Sequence, residues 1–308
     1  MSDRTGGERT RRRVLIAVLG VFFLSITLFY IWEFSQARGG TSKAIAENCL
    51  RISSANVDFR NDCISALVEE LSRLKADILV LLEWRGQNPA SEMISGMHPV
   101  IQEINGQHGI AVLVSNRLQH FVRGEVFYTG IESNSTCRIP MAIIQIDVGS
   151  QQFAIVGIHI PPPHLERCQA FRDATLEEIS QFFQEGLLVK KFRVIDENIP
   201  AIVLGDFNAF PSNPNLLEFN EKGMKNAFPG IRSWLLPTWP ARVPFVKDWH
   251  RFSFLPMIHI DNILISKMLQ KVQSWSYKIP GSDHRGLAVD ILLEENNFVF
   301  IDEKSINK

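Results

Sequence analysis

The chain has 308 residues, of which 45% are hydrophobic, with a formal net charge of −1 and four cysteines, enough apolar material for a sizeable core. Its charge is unevenly spread: residues 1–38 hold six Arg against three acids, which leaves the remainder at about −4. That balance argues against a domain that grips long nucleic acid, since phosphate contacts need basic excess.

Residues 14–32, VLIAVLGVFFLSITLFYIW, carry no charge over nineteen positions. As a helix this run rises about 30 Å, the thickness of a bilayer's hydrocarbon core. Arg9 and Arg11 to Arg13 precede it, and only Glu33 and Arg38 follow closely. The positive-inside rule puts residues 1–13 in the cytoplasm and the chain after Glu33 in the periplasm or outside the cell. The expectation is a single-pass membrane protein with an uncleaved anchor. Ser35-Gln36-Ala37 keeps a cleavable signal peptide as the rival. Residues 33–47 read as a short tether, 48–295 as one globular domain, and 296–308 as a polar tail.

Leu50 to Asn56 reads as the first strand of that domain. Asn61 or Asp62 is expected to cap a helix with Ile64, Leu67, Val68, Leu71 and Leu74 on one face. Asp77 to Glu83 is apolar between its two acids, the pattern of a strand covered on both faces. Residues 85–107 are polar and receive no element. Gly109 to Ser115 is a strand, and Arg138 to Asp147 and Gln151 to His159 flank Gly149-Ser150 as a hairpin. Glu166 to about Gln184 is predicted helical and Leu216 to Lys222 a short helix, and Ile258 to Ser266 and Gly286 to Leu293 are the last strands.

Between those helices, Ala201 to Leu204 has the length and branching of a buried strand, followed by Gly205, Asp206, Phe207 and Asn208. Side chains alternate along a strand, so Asp206 and Asn208 share a face at its C-terminal end and Phe207 turns to the core. Gly-Asp-x-Asn is also ordinary turn chemistry. Comparable polar groups close other apolar strands, however: Asn56, Glu83 and His159, with Ser282-Asp283-His284 just before the last strand.

The cysteines at 49, 63, 137 and 168 include no Cys-x-x-Cys, which argues against a zinc site. Outside the cytoplasm disulfides are permitted. The hairpin brings Cys137 towards Cys168, making that pair the expected bridge, with four free thiols as the alternative.

The set Asn56, Glu83, His159, Gly-Asp206-Phe-Asn208, Ile260-Asp261-Asn-Ile-Leu and Ser-Asp283-His284 resembles the endonuclease/exonuclease/phosphatase superfamily. That superfamily includes pancreatic-type deoxyribonucleases, apurinic endonucleases, inositol polyphosphate phosphatases and neutral sphingomyelinases. The resemblance covers roughly residues 48–293, with the motifs in the family's order, and is nearest to bacterial membrane-tethered members. It implies an α/β (α+β) fold, a four-layer sandwich of two packed mixed β-sheets flanked by helices. Asn262 and Gly286 depart from the common pattern, whereas Leu236-Pro-Thr-Trp-Pro before Asp261 resembles the bacterial membrane-tethered members. Trp234, Trp239, Phe245, Trp249, Phe252 and Phe254 crowd that last region and are expected to fill core, rest on lipid or shape the mouth of the site.

The activity implied is hydrolysis of a phosphate ester, most naturally a phosphodiester in nucleic acid or a phospholipid headgroup. Such a reaction must neutralise charge on the phosphate oxygens, aim a water and stabilise the leaving oxygen. Glu83 is the expected metal ligand with Asn56 beside it, for Mg²⁺ or alternatively Mn²⁺. Asp206 is expected to orient or deprotonate the water, and Asn208 to donate to a phosphate oxygen. His159 and His284 are the phosphate-side donors, each working best when protonated. Asp283 supports the metal site or its loop, and Asp261 is a second candidate to hold His284. Arg138 and Asp261 are assigned to the substrate side. No role falls to His98, His108, His120, His164 or His250. A binding protein that keeps the fold without turnover is the alternative.

Overall fold

The computed structural model describes residues 14–28, 48–86, 94–129, 139–163, 166–189, 191–195, 197–228, 236–240 and 258–293. The chain divides into two units, residues 1–43 and 44–308. In the first, residues 14–28 form helix α1. Its large apolar side chains are exposed, Phe23 at 64% and Val14 at 58%. Its two hydroxyls donate back within the helix, Ser25 Oγ to Val21 O at 2.8 Å and Thr27 Oγ1 to Phe23 O at 2.9 Å. Among the described residues no helix is long and apolar enough to cross a membrane. Residues 29–32, which complete the expected span, lie outside the described residues.

The second unit contains β1 (Cys49–Asn56), α2 (Ile64–Leu74), β2 (Ile78–Leu82), β3 (Met97–Glu103), β4 (Ile110–Ser115) and β5 (Val122–Thr129). There follow β6 (Ile139–Val148), β7 (Gln151–His159), α3 (Glu166–Ser180), β8 (Phe183–Gln184), β9 (Leu187–Leu188) and β10 (Ile199–Asp206). The last elements are α4 (Pro214–Glu221), β11 (Met224–Asn226), β12 (Asp261–Ser266), β13 (Gln270–Lys278) and β14 (Arg285–Leu292). One sheet runs β13-β14-β1-β2-β4-β3 and the other β11-β12-β10-β7-β6-β5, with the β8–β9 hairpin on the start of β10. The pairs β1–β2 and β7–β10 are parallel and their neighbours antiparallel, so both sheets are mixed.

The apolar strands are continuous because both their faces are covered. Ile78, Val80 and Leu82 of β2 enter the core between the sheets, with Ile202 and Leu204 of β10. Leu79 and Leu81 turn outward to Leu67, Leu71 and Leu74 of α2. On the far side, Ala201 and Val203 pack with Leu176 and Ile179 of α3 and Phe219 of α4. These are the four layers expected.

Details differ from the sequence reading. Helix α3 stops at Ser180, and Phe183–Gln184 pairs as a strand. Cys63, not Asn61 or Asp62, enters α2, with no side-chain cap; Asn61 Oδ1 instead accepts from Cys63 N at 2.8 Å. The longer strands β3, β5 and β13 and the short β8, β9 and β11 have no counterpart in the sequence reading. The Gly149-Ser150 hairpin forms as expected, joining β6 to β7. Gly286 is required by packing, since a Cβ there would lie 2.1 Å from the Tyr277 ring. Cys49 is a buried free thiol, and Cys63 Sγ donates to Asp62 Oδ1 at 3.6 Å. Cys137, the Cys168 side chain, Arg138, five of the six crowded aromatics (all but Trp239) and the 296–308 tail lie outside the described residues.

Candidate active site

The parallel strands β1, β2, β7 and β10 end at one edge of the sandwich, and β12, which runs back against β10, begins there. Asn56 closes β1, Glu83 follows β2, His159 closes β7, Asp206 closes β10, Asp261 opens β12 and His284 directly precedes β14. Sequence positions more than two hundred residues apart thus converge by topology alone.

Gly205 owes its place to close approach. Its φ is +143°, and a Cβ would stand 1.9 Å from the Ile158 carbonyl oxygen on β7, a backbone atom that cannot move aside. Glu83 adopts φ +57°, rare for a residue other than glycine. It is held there by three bonds: Oε2 accepts from Phe59 N at 3.1 Å, Oε1 accepts from Asn56 Nδ2 at 3.0 Å, and the next residue's N reaches Gly109 O at 3.0 Å.

Asn56 is the hub. Besides Glu83, its Nδ2 donates to Asp206 Oδ2 at 3.2 Å and lies 3.5 Å from His284 Nε2. His159 Nε2 stands 3.8 Å from both Glu83 Oε1 and Asp206 Oδ2. His284 Nε2 is 3.7 Å from the same Asp206 oxygen, and its Nδ1 is 3.0 Å from Asp261 Oδ2. The acid that holds His284 is therefore Asp261. Asp283 accepts instead from Trp239 Nε1 at 3.1 Å. Asn208 commits one amide hydrogen to Ile160 O at 2.7 Å, and its backbone N–H donates to Asp206 Oδ1 at 2.9 Å, so it positions Asp206.

Three supporting residues had no place in the sequence reading. Buried Thr238 accepts from Ile260 N at 3.1 Å and Asp261 N at 3.2 Å, while its carbonyl accepts from Arg285 N at 2.9 Å. One residue of the Leu236–Pro240 segment thereby ties the start of β12 to the start of β14. Arg172 on α3 donates from Nη1 to Asn208 O at 3.2 Å. His108 lies beside His159, ring centroids 5.2 Å apart. The available signal for His108 was its position before β4, which is antiparallel to β2 and so starts at the edge where Glu83 sits.

Burial and neighbours divide the charges. Burial chiefly, then Asp261, pushes the Asp206 carboxyl up to about 8. Glu83 is also raised, mainly by burial. Burial alone would lower His284, but Asp261 and Asp206 outweigh it and carry the ring up to about 10. His159 has no carboxylate within hydrogen-bond distance, and burial, then the charges of His108 and His284, takes it down to about 3. Asp206, Asp261 and His284 bring ligand atoms within 4.8 Å of one another. His284 Nδ1, however, holds its proton towards Asp261, which makes it a poor metal donor. The better fit for a hard divalent cation is Glu83 Oε1, a half-buried carboxylate oxygen with the Asn56 amide beside it, which leaves Asp206 Oδ2 to face the water.

The family model described as "Endonuclease/Exonuclease/phosphatase family" matches residues 53–284. The chain belongs to this family. The endonuclease/exonuclease/phosphatase fold is also that of the similar solved structures. An AP endonuclease from Leishmania major superposes with a TM-score of 0.61 at 12% identity, over 84% of this chain and 99% of that one. A family protein from Bacteroides thetaiotaomicron gives 0.59 at 14% identity, over 82% and 100%. A mannosyl-6-phosphatase from the same species gives 0.57 at 14%, over 79% and 100%. No curated protein matches the chain by sequence. The family match begins on β1 and ends at His284, enclosing every site residue described above.

Proposed function

We propose that the chain is a divalent-cation-dependent phosphodiesterase held at a membrane, with its catalytic domain outside the cytoplasm. The observation that carries the reading is the convergence of Glu83, Asp206 and two histidines on the Asn56 amide at one sheet edge. When bound, the cation supplies neutralisation of the charge that builds on the phosphate oxygens. Asp206 takes the proton from the attacking water: its raised proton affinity suits a base near neutral pH, and Asn208 N fixes Oδ1 so that Oδ2 faces the site. His284, charged and oriented by Asp261, donates from Nε2 to a phosphate oxygen. His159, neutral, has no partner at Nδ1, so its proton belongs on Nε2 towards the carboxylates.

Membrane attachment is supported by the uncharged run 14–32 and by α1, whose exposed apolar surface and internally satisfied hydroxyls suit an environment without water. The full chain in detergent should hydrolyse a phosphodiester with Mg²⁺ and lose that activity in chelator; a monoester, DNA and phospholipid assayed alongside locate the substrate class. Activity indifferent to chelator rejects the cation. Failure on every substrate returns the chain to a binding role. A reporter needing an oxidising compartment should work when fused after Gly40; activity only when it is fused before Arg9 would reverse the topology.

A further inference from the structure

The site is crowded with acids, and an anionic substrate has to approach it. Glu83, Asp206, Asp261 and Asp283 are joined by Asp58, two residues beyond Asn56, and the positive charge of His284 already faces two of them. Two arginines among the described residues stand together on the Glu83 side of the site. The Arg60 and Arg85 guanidiniums lie 5.3 and 5.6 Å from the centre of the Phe59 ring. The backbone that carries this ring is tied to the site, because Phe59 N donates to Glu83 Oε2 at 3.1 Å.

The two arginines are held differently. Arg60 pairs with buried Asp58 through Nε at 3.1 Å and Nη2 at 3.4 Å, while its side chain stays 56% exposed. The charges of Asp283 and Glu83 also reach it, which places it within the field of the site. Arg85 is exposed and makes no ion pair among the described residues. It is seated between buried Trp84, whose N reaches Gly109 O at 3.0 Å, and Gly86 at φ +66°. Arg60 is paired with Asp58 and Arg85 with no carboxylate among the described residues, so the Arg85 charge is available beside an otherwise negative site. Arg is the side chain whose planar donors match phosphate in pairs, and stacking on an aromatic ring keeps it preorganised.

We propose that Phe59, Arg60 and Arg85 form a subsite for a second phosphate group of the substrate, on the Glu83 side of the phosphate that reacts. The subsite rests on the phosphoesterase reading and narrows it. The preferred substrate carries two phosphates on one backbone, as a nucleotide chain or a phosphorylated lipid headgroup does, whereas an isolated diester binds less tightly.

Two probes with the same scissile bond decide the matter: thymidine 5′-(p-nitrophenyl phosphate), and the same compound with an added 3′-phosphate. A glycerol-based pair, with and without the additional phosphate, runs in parallel. Full-length wild type should favour the second-phosphate probe in at least one pair by about tenfold or more in kcat/KM, carried by KM, the worth of one charge-assisted contact. That preference should shrink as salt is raised. Arg85→Gln should bring the ratio close to one. It is the decisive variant, since Arg60→Gln strands buried Asp58 and risks the fold. Preference confined to the thymidine pair assigns the second phosphate to a nucleotide chain; confinement to the glycerol pair assigns it to a lipid headgroup. Equal kcat/KM within both pairs, or a preference that survives Arg85→Gln, overturns the subsite and leaves the phosphoesterase reading standing. If wild type cleaves none of the probes, the phosphoesterase reading fails and takes the subsite with it.

Discussion

His284 and His159 stand 3.7 and 3.8 Å from the same Asp206 oxygen, both nearly fully buried, yet they are held in opposite charge states. Behind His284 is Asp261, 3.0 Å from Nδ1, and the ring stays protonated. Behind His159, among the described residues, Nδ1 has no partner, and the ring beside it is another histidine, His108. Depth of burial is the same on both sides, so the partner decides the charge. The β12–β14 side of the site therefore offers a cation to the phosphate, and the β7 side a neutral donor. The expectation that both histidines act protonated is corrected at His159.

The comparison is broken most directly at the carboxylate the two rings share. Asp206→Asn should lower kcat on a phosphodiester by roughly 10²- to 10⁴-fold; a steady-state kcat within about threefold of wild type would remove Asp206 as the base. Next in size, His284→Gln should reduce kcat by about 10²-fold because it deletes a charge felt mainly in the transition state. His159→Gln should cost only about tenfold, and the reverse order would show that the neutral side carries the chemistry. Asp261→Asn should reproduce most of the His284 loss while leaving the imidazole in place. In a pH profile of kcat/KM it should also move the alkaline limb to lower pH, since the acid that raises His284 is gone. An unmoved limb would detach Asp261 from that role.

The smallest effect is on stability, and it has opposite signs for the two rings. His159 binds its proton more weakly folded (about 3) than unfolded (6.5), so its contribution is present above pH 6.5 and lost as pH falls towards 3. His284 binds its proton more tightly folded (about 10), so its contribution is full below pH 6.5 and lost as pH rises through 10. Urea melts in chelator across that range should show His159→Gln flattening the acid side and His284→Gln the alkaline side. Both variants changing the same limb would mean that the two rings do not differ as described.

The strands found from sequence are those with cover on both faces: β1, β2, β4, β7, β10, β12 and β14 are buried almost throughout. The longer strands missed, β3, β5 and β13, expose much of their length at a sheet edge, and their mixed residues show neither a clean alternation nor an apolar run; β8, β9 and β11 are too short to carry a pattern. The extra turn assigned to α3 has a related cause. Phe182 and Phe183 fit a helical stripe, but both pack into the core beyond the helix end. Thr238 and His108 carry no role in the sequence reading because their residue types do not distinguish a site residue from a structural one. One matters through two backbone N–H groups across a loop, the other through a ring on a neighbouring strand.

The sequence by itself determined which polar groups are carried to the ends of buried strands, because period-two alternation and apolar length act locally. Asn56, Glu83, His159, Asp206 and His284 were legible on that basis. It could not determine which acid faces which ring. Asp283 is adjacent to His284 in sequence, yet Asp261 is the one within 3.0 Å, because the hydrogen bonds through Thr238 bring the starts of β12 and β14 together. Nor could it give the histidines their charges. A proton's affinity depends on the charges and solvent within a few ångströms, and those neighbours exist only after two sheets have packed.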